Sequence, residues 1–153
     1  MRRVVIIDTG PVVAFLNKRD RFHDWAVAQF ALLEPPLLTC EAVISEACFL
    51  VRGLDGGESA ILELISRGAI EVPFTLQHEV SAVQKLMARY ASAPMSLADA
   101  CIVRTSELHA DSRVMTFDGH FAIYRRHGHS VIPLITPEPG RAAHERRARS
   151  PLG

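Results

Sequence analysis

The segment Val4-Val5-Ile6-Ile7 is an unbroken β-branched run that ends directly on an acid, Asp8. A run of this kind packs on both faces of a pleated strand, so it belongs inside a sheet covered on two sides. Thr9-Gly10-Pro11 follows at once and predicts a short helix to about Leu16. Pro in its first turn costs nothing, because that N–H has no helical partner. A buried strand, a carboxylate at its tip and a helix behind it form the opening of an α/β fold.

The same alternation continues along the chain. Helices are predicted over His23–Leu33, Glu41–Val51 (closed by Gly53), Asp55–Arg67 (capped by Asp55, closed by Gly68), Leu76–Tyr90 and Ser96–Leu108. Strands are predicted at Leu37–Thr39, Ala69–Val72, Arg113–Phe117 and Val131–Ile135, with a short helix near His120–Arg126. Strands interleaved with helices call for a mostly parallel sheet with helices on its faces. Residues 1–136 are read as one domain. Residues 137–153, with little apolar content and three Pro, are read as a disordered Arg-rich tail.

A chain of 153 residues, 48% apolar, can bury a full core without disulfides or a structural metal. The formal charge is zero, from 17 basic and 17 acidic residues, which argues against a surface that coats nucleic acid or membrane. The balance is uneven, however. The tail carries four Arg and two Glu, so residues 1–136 are net acidic by two charges. Cys40, Cys48 and Cys101 lie in apolar company without C-x-x-C spacing; they read as buried free thiols in a reducing cytoplasm, not as a zinc site. The apolar run after Arg2-Arg3 is too short for a secretory segment, and no stretch is long enough to span a membrane.

Four acids stand where a folding chain would not place them without a use. Asp8 and Asp118 each follow a strand directly, at the sheet edge where α/β proteins bind ligands. Glu46, in E-A-V-I-S-E-A-C-F-L-V, and Asp99, in M-S-L-A-D-A-C-I-V, interrupt apolar helix faces. An unpaired carboxylate turned to a core costs several kcal/mol, whereas several together are tolerated if they share divalent cations. An all-oxygen set suits Mg²⁺ or Mn²⁺, and one or two such ions can polarise a phosphodiester and activate water. Three of the acids also have a plainer use. Asp8 could cap the following helix, Ser96-x-x-Asp99 matches a capping box, and Asp118-Gly119 is a turn signature. Glu46, in mid-helix, has no capping role.

These residues resemble a known family. V-V-I-I-D-T-G-P-V-V-A-F-L, S-E-A-C-F-L-V, M-S-L-A-D-A-C-I-V-R-T-S-E-L and V-M-T-F-D-G-H-F are similar, in order, to the motifs of PIN domains, especially VapC-type toxins. The resemblance covers about residues 3–135. It implies an α/β/α domain with a parallel sheet of four or five strands and a Mg²⁺- or Mn²⁺-dependent endoribonuclease leaving a 5′-phosphate and a 3′-hydroxyl. It maps the catalytic and metal-binding acids to Asp8, Glu46, Asp99 and Asp118, with Thr9 and Thr116 as supporting hydroxyls and Phe121 as an apolar anchor. It further implies an RNA substrate, a cognate antitoxin that silences the site, and a homodimer. The loop Gly53–Gly57 looks looser than the family pattern.

Other readings remain open at this level. The domain could bind RNA or protein without cutting, or process RNA without being a toxin. A phosphohydrolase with Asp8 as nucleophile lacks the usual second Asp (position 10 is Gly) and a strand-end Lys. No dinucleotide or P-loop glycine fingerprint is present. His127-Gly-His129 reads as a solvated turn. Arg104, Arg113, Arg125 and Arg126 are candidate phosphate contacts, each also readable as ordinary surface charge.

Overall fold

Residues 3–138 are described by a computed structural model of the chain. All but the first two residues of the predicted tail, positions 139–153, lie outside the described residues. Strand β1 (Val5–Ile7) leads into helix α1 (Thr9–Leu16), and α2 (His23–Leu32) returns the chain to β2 (Leu37–Leu38). Helices α3 (Glu41–Leu50) and α4 (Gly57–Ser66) precede β3 (Ile70–Glu71). Helices α5 (Leu76–Arg89) and α6 (Leu97–Leu108) precede β4 (Arg113–Met115). A 3₁₀ turn (Gly119–Ala122), a hairpin of β5 (Arg125–Arg126) and β6 (Ser130–Val131), and β7 (Leu134–Ile135) complete the described chain.

The main sheet has five strands in the order β3-β2-β1-β4-β7, all parallel. The β-branched run takes the central position, and side-chain alternation splits it between two cores. Val5 and Ile7 pack with Val12, Ala47, Val51 and Ile61 on one face. Ile6 packs with Val43, Cys101, Ile102, Phe121 and Tyr124 on the other. Fully burying one Ile is worth roughly 1.5–3 kcal/mol, so this short strand anchors both layers of an α/β/α sandwich. Because β2 lies on one side of β1 and β4 on the other, the chain order reverses at β1. A crevice opens beyond the carboxyl ends of β1 and β4, the position where such sheets bind ligands.

Three boundaries differ from expectation, each for a local reason. Asp55 does not cap α4. The cap position belongs to Gly56, at φ +66°, which an L side chain adopts only with strain. Nor is Gly53–Gly57 loose: Leu54 N–H donates to the Val51 carbonyl at 2.9 Å and Gly57 N–H to the Leu54 carbonyl at 3.1 Å. A Cβ on Gly57 would collide with the Val51 carbonyl oxygen, whereas one on Gly53 would meet nothing within 4 Å. Gly57→Ala should therefore lower stability by about 1–3 kcal/mol while Gly53→Ala stays near neutral, as read from paired urea melts.

The helix predicted over His120–Arg126 is one 3₁₀ turn, after which Arg125–Arg126 pairs antiparallel with Ser130–Val131. The intervening turn holds His127 at φ +53° and Gly128 at φ +80°, the left-handed pair that suits a tight hairpin. The single strand predicted over Val131–Ile135 is two strands. Pro133, between them, has no N–H to donate, although its carbonyl accepts from Val114 at 2.9 Å. Among the cysteines, Cys40 and Cys101 are buried and Cys48 is only partly so.

Candidate active site

Asp8 directly follows β1, and its amide donates to the Met115 carbonyl of β4 at 3.0 Å. It occupies the cap position of α1, yet its carboxylate makes no capping bond. Instead, Oδ2 accepts a 2.7 Å bond from the Thr116 hydroxyl across the sheet. That hydroxyl in turn accepts from the Asp118 amide at 3.0 Å. One buried oxygen thus fixes Asp8 and the loop that carries Asp118. Register explains the encounter, since Ile7 pairs with Met115 and places the next residues of both strands side by side.

Glu46 reaches the site from α3, and its Oε2 accepts from the Thr9 hydroxyl at 3.0 Å. Asp99 enters from the first turn of α6. Its Oδ2 accepts from the Ser96 amide at 3.0 Å, while Ser96 Oγ accepts from the Asp99 amide at 3.1 Å. The capping box is therefore real, and it aims the carboxyl rather than competing with that use. Asp118 likewise keeps its turn role, its Oδ1 accepting from the His120 amide at 2.9 Å and lying 2.6 Å from His120 Nδ1. Asp99 Oδ1, Asp118 Oδ2 and Glu46 Oε1 accept no hydrogen bond among the described residues.

All four acids line one open pocket of about 450 Å³, together with Thr9, Gly10, Leu50, Ser96 and Phe117. No Lys, Arg or His is among these lining residues. Burial pushes the Asp8 carboxyl from 3.8 up to about 6. The Thr116 hydroxyl and the Thr9 amide oppose that rise, and the Asp99 and Glu46 charges add to it. Such a group lacks a counter-charge and would gain from a cation.

The donor set fits a hard divalent ion. It is all oxygen, it converges on one pocket, and its most buried member is destabilised as an anion. Among the described residues, however, no group of three or more His, Cys, Asp or Glu side chains is drawn together closely enough to hold a metal ion as it stands.

Several contributors carried no sequence signal. Tyr124 is fully buried, and its hydroxyl donates to Asp99 Oδ2 at 3.4 Å. Burial beside Asp99 and Asp118 holds this phenol above its ordinary range. Thr39 bonds the Ile7 carbonyl at 2.7 Å and so fixes the end of β1 from the neighbouring strand. Phe117 walls the pocket so closely that a Cβ on Gly10 would lie 2.8 Å from its ring. A lone Tyr and a lone Thr have no distinctive spacing, so only the fold exposes these roles. Phe121 is fully buried in the core, as its apolar-anchor reading requires.

The candidate phosphate-binding arginines fall elsewhere. None of Arg104, Arg113 and Arg125 lines the acid pocket. Arg104 is held by Glu79 at 2.8 Å and Glu107 at 3.3 Å. Arg113 begins β4, at the opposite edge of the sheet from the pocket. Arg125 spends its guanidinium on the carbonyls of Ala122, Ile123 and Tyr124, at 2.8, 3.0 and 3.1 Å. Arg126 is bonded to Ser112. His127 and His129 form the hairpin turn, away from the acids.

Comparison with known proteins agrees with this geometry. The fold is similar to the crystal structure of Mycobacterium tuberculosis VapC20, a sarcin–ricin loop cleaving toxin, with a TM-score of 0.69 and 20% identity. The alignment covers 78% of this chain and 93% of that one, and at this identity it speaks for the fold. No curated protein matches the sequence. The family model described as PIN domain matches residues 5–126, which span all four acids. By that match over most of its length, the chain belongs to the PIN domain family.

Proposed function

We propose that the chain is a divalent-metal-dependent endoribonuclease, and that it acts as the toxin of a VapBC-type pair. The observation that carries this reading is the convergence of Asp8, Glu46, Asp99 and Asp118 on one pocket with no basic side chain in its lining. VapC20, whose fold this chain shares, is a sarcin–ricin loop cleaving toxin, and the proposal takes the same class of act for this chain.

Asp8, Asp99 and Asp118 are the residues to hold Mg²⁺ or Mn²⁺, with Glu46 holding a second ion or orienting the attacking water. When bound, the ion lowers the pKa of water and offsets charge at the phosphate. The protein's own part is alignment. Thr116 fixes Asp8 against β4, Thr9 restrains Glu46, and Ser96 restrains Asp99. Water would then attack the phosphorus in line with the 3′ oxygen, the bond to that oxygen would break, and the oxygen would leave as a hydroxyl on taking up a proton. Side chains already held by hydrogen bonds need little reorganisation when charge develops.

The remaining parts of the proposal are an RNA substrate, a cognate antitoxin covering the acid pocket, a homodimer and a cytoplasmic location. No helix among the described residues is long and apolar enough to cross a membrane. Induced expression tests the toxin reading. Wild type should arrest growth, Asp8→Asn should not, and co-expression of an antitoxin from the adjacent reading frame should relieve the arrest. Unimpeded growth with wild-type protein accumulating would contradict toxin status while leaving nuclease activity to be decided in vitro.

A further inference from the structure

The acid pocket has no cation of its own to receive a phosphate chain, yet one wall continues into an aromatic and basic surface. Phe117, which lines the pocket, has its ring centroid 4.5 Å from that of Phe22 and 5.5 Å from that of Trp25. The Arg21 guanidinium lies 4.3 Å over the Phe22 ring. All three rings are partly exposed, and Lys18, Arg19 and Arg21 are exposed on the α1–α2 loop beside them.

This loop is built rather than slack. The Arg19 amide donates to Asn17 Oδ1 at 3.0 Å, the Phe22 amide to Asp20 Oδ1 at 2.9 Å, and His23 Nδ1 lies 2.7 Å from the Ala14 carbonyl. The acids nearby are Asp20, whose Oδ1 is committed to the Phe22 amide, and Asp24, which has a contact of its own. The candidate arginines of α6 and β5 are engaged elsewhere, and Arg113 opens β4 at the end of the strand away from the pocket. Arg21 is therefore the basic side chain that the aromatic wall links directly to the acids.

We propose that the Arg21–Phe22–Trp25–Phe117 surface binds an unpaired nucleotide next to the scissile phosphate. Its base stacks on the aromatic wall and its phosphate meets Arg21, with Lys18 and Arg19 following the strand outward. Stacking needs an exposed base face, which a duplex hides, so the surface selects single-stranded or loop RNA. This inference rests on the ribonuclease reading and adds to it a nucleotide subsite outside the acid pocket.

Trp25 is the only Trp in the chain and reports on its own surface. The test titrates wild-type protein in EDTA at low salt with hexaadenylate RNA, with the same strand in a duplex, and with hexaglutamate peptide. Omitting metal separates binding from cleavage. The proposal expects quenching of Trp25 by the single strand, weakened by salt, with little response to the duplex or the peptide. Phe22→Ala should weaken binding about tenfold or more. Arg21→Glu, a surface change that leaves the fold intact, should weaken it by at least a similar factor. Absence of quenching by the single strand, equal quenching by the duplex, or Arg21→Glu binding within about twofold of wild type overturns the proposal. Equal quenching by the peptide overturns it in favour of a protein-docking surface. A chain that binds the strand but never cuts RNA with metal added would keep this site and remove the nuclease reading.

Discussion

Asp8→Asn should yield a protein that is inactive yet more stable than wild type when metal is absent. Burial holds the Asp8 carboxyl at about 6, above its ordinary 3.8, so the charged form destabilises the fold. The sign follows from linkage. Between these two values the folded chain binds more protons than the unfolded one, so stability falls as pH rises. The destabilisation is absent below about pH 3.8 and complete above about pH 6. The full difference corresponds to about 3 kcal/mol, and Asn, which can still accept from Thr116, should recover about 1–3 kcal/mol of it at pH 7. At roughly 2–4 °C per kcal/mol, melting in EDTA should show a rise of several degrees, vanishing toward pH 4.

Added Mg²⁺ should reverse the ranking. Wild type gains about 2.7 kcal/mol at a metal concentration of 100 times Kd, and the variant gains far less. Cleavage by Asp8→Asn should fall on the order of 10³-fold, the scale expected when a pre-organised electrostatic group is removed. A metal-free variant that melts below wild type at pH 7 would show that Asp8 is a structural acid.

Thr116→Val should cost both activity and stability although the side chain keeps its shape. The hydroxyl is buried, donates to Asp8 and accepts from the Asp118 amide. Its loss strands a buried acceptor and a partly buried donor, at about 1–3 kcal/mol in stability. Losing a partner that orients a metal-binding group typically costs roughly 10–100-fold in metal affinity or activity. Thr116→Ser retains the hydroxyl and should recover most of the activity, with a small packing loss. If Val and Ser variants are equally active, Thr116 contributes packing alone. The readout is kcat and the Mg²⁺ concentration at half-maximal rate, alongside urea melts.

The sequence made the frame of this site readable because its acids violate local rules. Glu46 stood out in an apolar helix and Asp8 at the tip of a buried strand; the fold leaves Glu46 exposed rather than turned to a core, and puts both in one pocket with Asp99 and Asp118. Asp99 was harder, because capping and facing the pocket looked like rival uses; one carboxyl does both, with Oδ2 on the Ser96 amide. The parallel, helix-covered sheet followed from the alternation of strands and helices, and the five strands fall within the four or five that the family resemblance implies. Long-range register did not follow. Tyr124 meets Asp99, and Phe117 meets Phe22 and Trp25, only after the strands pair. The use of the arginines was not legible, because a cation's use depends on its neighbours, and Glu79 and Glu107 engage Arg104. Local backbone chemistry explains the remaining differences, at Gly56 and at Pro133.

The central claim is that the four acids form a metal-dependent ribonuclease site. The most direct measurement incubates purified wild type and Asp8→Asn with a labelled single-stranded RNA in Mg²⁺, in Mn²⁺ and in EDTA, and resolves the product ends. Cleavage by wild type with either metal, leaving 5′-phosphate ends, and none in EDTA or by the variant, is the predicted result. Cleavage that persists in EDTA, or proceeds at the wild-type rate in Asp8→Asn, would contradict it.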